Sequence, residues 1–280
     1  MSAQPEIRPG QSVELLKQLH ILTRDGRMNQ DSRRKLKQVY HLFQFLEPLL
    51  SETLGEHPDV QLVDHGAGKS YLGFILYDLF FKDLAPGGRI YGIETRDELV
   101  ASSRRLADKL GFSTGMRFYN LSVADSIESE RLPARVDMVT ALHACNTATD
   151  DAIRFALRKQ ARHIVLVPCC QAEVAAVLRR NKQERLADSI TELWRHPIHT
   201  REFGSHVTNV LRCLQLESHG YQVNVTELVG WEHSMKNELI IASYKDLPRR
   251  RPGERLAELL HTLGLEELAG RFFRGDESAP

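Results

Sequence analysis

The chain has 280 residues, of which 42% are hydrophobic, enough for the core of one doubly wound domain with additions rather than two full domains. Its 37 Lys and Arg residues are matched by 37 Asp and Glu, so no global field draws it to nucleic acid or an anionic membrane, and such a partner must be held by a local patch. No apolar run approaches the roughly 20 residues of a membrane span. The opening segment is polar, and Cys145, Cys169, Cys170 and Cys213 lack the spacing of a disulfide framework. The expectation is a soluble, reduced, cytoplasmic protein with no membrane partner.

From Ser12 to Leu54 the pattern is helical, with one apolar stripe at Leu15, Leu16 and Leu19 and another at Val39, Leu42, Phe43, Leu46 and Leu50. Arg33, Arg34, Lys35 and Lys37 lie between them as a short basic cluster, readable as a solvated face or a phosphate contact. Strand and helix patterns then alternate: Val60–Val63, a helix over Tyr71–Phe81, Arg89–Ile93, a helix over Asp97–Leu110, Met116–Leu121, Val136–Leu142, a helix over Asp150–Lys159 and His163–Val167. Such alternation predicts a mostly parallel sheet with helices on both faces. A long helical region over Glu173–Leu193 and a helix over Val207–Ser218 precede Tyr221–Val229 and Glu238–Tyr244, expected to form an antiparallel pair. Arg249, Arg250 and Arg251 then lead into amphipathic helices around Leu256–Leu263 and Leu265–Phe273. The predicted organisation is a helical N-terminal extension over 1–55, a catalytic domain over 56–246 and a helical tail over 247–280. The predicted fold class is α/β: a Rossmann-like, doubly wound, seven-stranded sheet ending in an antiparallel hairpin.

The first strand runs into Asp64, followed by His65-Gly66-Ala67-Gly68-Lys69-Ser70 and a helix. Glycines in such a turn let the backbone approach a ligand, and the free amides of the next helix attract an anion, whether a carboxylate or a phosphate. Spacing sets two alternatives aside. A dinucleotide fingerprint needs a third small residue three positions after Gly68, where Tyr71 stands, and a P-loop needs a glycine at the position of Val63. Glu94 closes the second strand, where a carboxylate can accept from both hydroxyls of a ribose.

The acid at the tip of the first strand followed by Gly66, Ala67 and Gly68 resembles motif I of class I S-adenosylmethionine-dependent methyltransferases. The resemblance extends over roughly residues 35–245 and departs at Ser70, where many relatives carry glycine. It implies S-adenosyl-L-methionine as cofactor, with Asp64 positioning its methionine end. It also implies that Asp125, in Ser122-Val123-Ala124-Asp125, faces the adenine amino group.

Ligands of open parallel sheets sit beyond the carboxyl ends of the strands, which places the segments after the fourth and fifth strands at the reaction face. The fourth is followed by His143-Ala144-Cys145-Asn146-Thr147-Ala148-Thr149-Asp150-Asp151. His143 is a candidate general base and Asn146 a candidate pocket residue, while Thr147 or Thr149 is expected to cap a helix whose dipole Asp150 and Asp151 favour. Cys169 and Cys170 follow the fifth strand. They read as small supporting thiols, with a covalent nucleophile or, together with His143 and Cys145, a metal site as the alternatives; no metal is predicted. These segments with Lys236-Asn237 resemble a poorly characterised methyltransferase-domain branch marked by Pro-Cys-Cys after strand five, and the cysteine pair is also similar to that of a tRNA ribose methyltransferase family. The basic segments, with His196, His199 and His206, suggest structured RNA (rRNA or tRNA) as the acceptor. A small molecule or protein acceptor, and a non-catalytic cofactor-binding RNA-associated module, are the rival readings.

Overall fold

The computed structural model describes residues 7–142, 144, 147–168, 171–181, 189–228, 238–246 and 251–273. His143, Cys145, Asn146, Cys169, Cys170, Lys236, Asn237, Arg249 and Arg250 lie outside the described residues. Two N-terminal helices, α1 (Val13–Gln18) and α2 (Gln30–Leu54), lead into β1 (Gln61–His65). Then follow α3 (Tyr71–Leu76), a π-helical stretch over Tyr77–Phe81, α4 (Lys82–Leu84), β2 (Arg89–Glu94), α5 (Asp97–Leu110), β3 (Met116–Asn120) and α6 (Val123–Ile127). The second half contains β4 (Met138–Ala141), α7 (Thr147–Arg158), β5 (His163–Leu166), α8 (Glu173–Arg180), a 3-10 turn over Ser189–Trp194, α9 (Pro197–Ser218), β6 (Tyr221–Glu227) and β7 (Glu238–Tyr244). After them come α10 (Pro252–Leu263), a 3-10 turn over Glu266–Leu268 and α11 (Ala269–Phe272).

The strands form a seven-stranded sheet in the order β3-β2-β1-β4-β5-β7-β6. β1 to β5 are parallel, and β7 runs antiparallel to both β5 and β6. The predicted sheet and its terminal hairpin are therefore present. Strand order reverses between β1 and β4, which opens a crevice beyond their carboxyl ends. In this register Asp64 stands between Gly92 of β2 and Thr140 of β4.

Several boundaries differ from the periodicity. The helical N-terminus is interrupted between α1 and α2, and the helix after β1 continues through its π stretch to Leu84. α7 starts at Thr147, three residues earlier than expected, and α8 stops at Arg180. α9 begins ten residues early because Pro197 occupies its first turn, where the fixed φ of proline is pre-organised and its missing N–H costs nothing. α6 was not expected; the Ser122 hydroxyl caps it by accepting from the Asp125 N–H at 3.0 Å.

α2 joins the main core rather than standing off it. Leu36, Leu42, Phe43, Leu46 and Leu50 are buried in one cluster with Leu62 of β1, Phe74 of α3 and Ile90 of β2. Its 25 residues span about 37 Å. At the far end Glu52 meets Arg162 at 2.7 Å and Lys245 at 2.9 Å, beside the start of β5 and the end of β7. The Arg162 and Lys245 hydrogen bonds hold the Glu52 carboxyl down at about 2. The other end of α2 reaches the crevice.

Candidate cofactor and acceptor site

The turn after β1 is built almost wholly from backbone. Gly66 and Gly68 adopt φ of +66° and +58°, a region that side-chain-bearing residues rarely enter. The Ala67 N–H donates to Ile93 O at 3.0 Å, and the Ser70 N–H to Ala67 O at 2.7 Å, which ties the turn to β2. Ser70 takes the same left-handed conformation at φ 52°, so the position where relatives carry glycine keeps the glycine geometry at a cost of about 1 kcal/mol. Its hydroxyl is buried with no partner. At Gly73 in the first turn of α3, an added Cβ would come within 2.5 Å of this Ser70 Oγ, so the buried hydroxyl and the glycine fit together.

Two carboxylates flank this turn. Asp64 is 4% exposed, and its Oδ1 accepts from the Thr140 hydroxyl at 2.6 Å. Burial pushes its carboxyl up to about 7 against the lowering effect of that hydrogen bond. Glu94, 8% exposed, accepts from the Gly68 N–H at 2.8 Å, the Arg96 N–H at 3.0 Å and Arg96 Nε at 3.1 Å. Its burial favours the neutral acid, but the Arg96 and Gly68 donors together outweigh that and hold the carboxyl below its ordinary value. Glu94 stays an anion bound to the glycine turn.

A cavity of about 710 Å³ opens beside both acids. Asp64, Gly66, Ala67, Gly68 and Glu94 line it, so the structure gathers five of the sequence-predicted residues at one place. Asp125 is not brought there: it is exposed, its carboxylate accepts from the Ser122 hydroxyl at 2.6 Å, and Leu121 and Val123 face the cavity from the same segment. Ala144 and Val167 line the reaction side. His143 and Asn146 fall outside the described residues, as do the cysteines of the nucleophile and metal readings.

The cavity has a roof that periodicity did not assign to it. Ile21 and the α2 residues Lys35, Gln38, Val39 and Leu42 close it opposite the sheet. The basic cluster consequently divides: at about 100° per residue Lys35 points to the cavity, whereas Arg33 and Lys37 line a separate groove on the far face of α2. Arg251 is remote from both. β7 ends beside the start of β6, and Arg255 reaches Glu217 at the end of α9, so the start of α10 sits at the sheet end opposite the cavity.

Asp150 stands in the first turn of α7, as expected; it is also 3% exposed and accepts from Arg212 Nε at 2.6 Å, with Arg271 at 3.5 Å, so it anchors α7 to α9 and α11 as well. The Thr149 hydroxyl donates to Ala144 O. Arg96, Thr140 and the roof residues were missed. Arg96 stands two positions after Glu94 at the head of α5, a legible spacing, whereas Thr140 follows only from strand register.

The sequence matches a family described as a methyltransferase domain over residues 34–177, just over half of the chain. The chain belongs to this family. It is an S-adenosylmethionine-dependent methyltransferase. No curated protein matches the sequence. Among solved structures it is similar to magnesium protoporphyrin IX methyltransferase from Synechocystis PCC 6803 with bound SAH, at 14% identity over 82% of this chain and 94% of that one, TM-score 0.47. A geranyl diphosphate methyltransferase in complex with SAM shares 15% identity over 86% and 94%, TM-score 0.47. The Methanococcus jannaschii fibrillarin pre-rRNA processing protein shares 11% over 68% of each chain, TM-score 0.43. The site suits S-adenosylmethionine: a positive-φ turn free of side chains, an ionised carboxylate at Glu94 and apolar walls at Leu121 and Val123 meet in one cavity. Among the described residues no helix is long and apolar enough to cross a membrane.

Proposed function

We propose that this methyltransferase transfers the cofactor's methyl group to an RNA nucleotide. The observation that carries the reading is the pair Lys35 and Lys69 on the wall of the cavity, neither with an anionic partner among the described residues. The acids beside them are accounted for, since Glu94 is bound by Arg96 and Asp64 by Thr140. Ammonium groups on the wall of this cavity suit the phosphates flanking a target nucleotide.

When bound, S-adenosylmethionine supplies an electrophilic methyl group. Glu94 would hold the ribose hydroxyls, the Gly66–Gly68 turn with Asp64 would receive the methionine end, and Leu121 and Val123 would offer apolar surface to the adenine; Asp125 belongs to the α6 cap. The chain reaches the cavity at Ala144, directly after His143, which supports His143 as the base that takes the acceptor's proton, with Asn146 beside it and Cys169 and Cys170 in support. The Pro-Cys-Cys branch and a cytoplasmic location are parts of the same proposal.

The test is a comparison of modified nucleosides in total RNA from cells with and without the gene. Loss of a single methylated nucleoside, restored by the wild-type gene, is the expected result. The apolar roof of Ile21, Val39 and Leu42 favours a small-molecule acceptor as the second reading. An unchanged nucleoside profile would transfer the assignment to it.

A further inference from the structure

The far face of α2 carries a second concavity of about 570 Å³, separate from the cofactor cavity. Arg33, Lys37, Tyr40, His41 and Gln44 line it, and no carboxylate is among its lining residues. Its two rings are held in place before any ligand arrives. The Tyr40 hydroxyl accepts from the Arg8 N–H at 3.3 Å and donates to Gln11, and the Arg8 guanidinium lies 5.2 Å from its ring centre. His41 packs edge-on against Phe45 with centroids 5.1 Å apart. Rings fixed by packing lose little entropy when something stacks on them.

From this geometry we infer that the groove is a binding site for single-stranded RNA next to the acceptor nucleotide. The Lys37 ammonium attracts the backbone, aromatic faces accept any base by stacking, and the Gln44 amide supplies a donor and an acceptor for a base edge. Lys35 and Lys37 stand on opposite faces of one helix about 10–12 Å across, so a strand with its acceptor nucleotide in the cavity reaches the groove by crossing α2. The inference rests on the RNA reading above and adds the place where a neighbouring nucleotide is held.

The experiment uses the full chain, a fluorescein-labelled single-stranded RNA of about 12 nucleotides, and S-adenosylhomocysteine as a separate probe. Lys37→Ala and His41→Ala are each expected to weaken RNA binding about fivefold or more. Lys37→Ala is also expected to shrink the slope of log affinity against log salt by about 0.7. Affinity for S-adenosylhomocysteine stays unchanged in both variants, which also verifies folding. Ultraviolet crosslinking of the same RNA to wild type is expected to label the peptide containing Tyr40 and His41. Unaltered RNA affinity and slope in both variants, with wild type binding normally, would overturn the groove and leave the RNA reading standing. Wild type that binds S-adenosylhomocysteine but no RNA even at low salt would overturn both.

Discussion

Asp64 and Asp150 are equally hidden from solvent, at 4% and 3% exposure, yet their surroundings are opposite in kind. Asp64 has a neutral hydroxyl from Thr140 as its hydrogen-bond partner and lines the cavity. Asp150 is held by Arg212 and approached by Arg271, which in turn pairs with Glu173, so it joins three helices. A buried carboxylate close to a strand tip is therefore not a site residue by burial alone. What separates the two is whether the partners leave the charge uncompensated and a ligand able to reach it.

The sharpest way to break the comparison is at Asp150. Asp150→Asn removes the carboxylate that accepts from the Nε of Arg212, a guanidinium only 1% exposed. Breaking such a pair costs about 3–5 kcal/mol. Urea unfolding should show that loss at neutral pH, and Arg212→Met, which removes the buried guanidinium itself, should recover part of it in the Asp150→Asn background. A single-variant loss below about 1 kcal/mol would place this pair with surface bridges.

Asp64→Asn should act in the other direction. Below about pH 4 the folded and unfolded chains both keep the Asp64 proton; between there and about pH 7 only the folded chain keeps it, so its contribution to stability falls as pH rises. The variant should match wild type near pH 3 and exceed it at pH 8 by about 2–4 kcal/mol. Next door, burial pushes His65 down to about 3, and its contribution is lost as pH falls below about 6.5. The two slopes oppose each other in wild type. Only the variant should therefore show the acid-side loss clearly, a distinction that urea unfolding at several pH values reads directly. Reduced S-adenosylhomocysteine affinity in the same variant would accompany a role at the methionine end.

The unequal legibility of the molecule has a physical source. The turn from Asp64 to Ser70 and the acid at Glu94 were readable because strand, glycine turn and helix follow one another locally and the backbone itself makes the site. The pairing of Asp150 was not foreseen because its partner Arg212 lies 62 residues on, and no local pattern reveals so distant a partner. The division of the basic cluster was not legible because neighbours in sequence on a helix are not neighbours in space. Helical rotation sends Lys35 to the cavity and Lys37 to the far groove, and the topology of β7 carries Arg251 to the other end of the sheet. The roof from Val39 and Leu42 was visible as an apolar stripe, but periodicity alone does not say that part of a stripe faces a cavity.

Glu94 gives the next test, smaller because it concerns ligand affinity rather than a buried ion pair. Glu94→Ala should weaken S-adenosylhomocysteine binding by about 1.5–3 kcal/mol, the range of charge-assisted hydrogen bonds. It also removes the acceptor of the Gly68 N–H, so the turn itself loses a tie. Calorimetry with Glu94→Gln alongside separates the effects: the amide retains an acceptor for that N–H but not the charge. Wild-type affinity in the alanine variant would remove Glu94 from the site.

The smallest expected effect concerns Arg96, and its sign is the informative part. Both oxygens of Glu94 receive Arg96 donors, Oε1 from Nε at 3.1 Å and Oε2 from Nη2 at 3.3 Å, in addition to the Gly68 and Arg96 amides. The Thr95 hydroxyl also donates to Oε1 at 3.3 Å, and a carboxylate offers about four acceptor directions, so two ribose hydroxyls reach it only if the guanidinium withdraws and the Thr95 hydroxyl turns away. The Arg96 side chain is 60% exposed, and a pair so open to water is readily released. Arg96→Ala should accordingly tighten S-adenosylhomocysteine binding, by no more than about fivefold, and most at low salt where the competing ion pair is strongest. The Arg96 N–H remains in the variant, so Glu94 keeps its backbone ties and its orientation. Calorimetry at two salt concentrations reads the outcome. A loss of affinity instead would mean that the guanidinium stays in place and contacts the ligand itself, making Arg96 a binding residue rather than a competitor for Glu94.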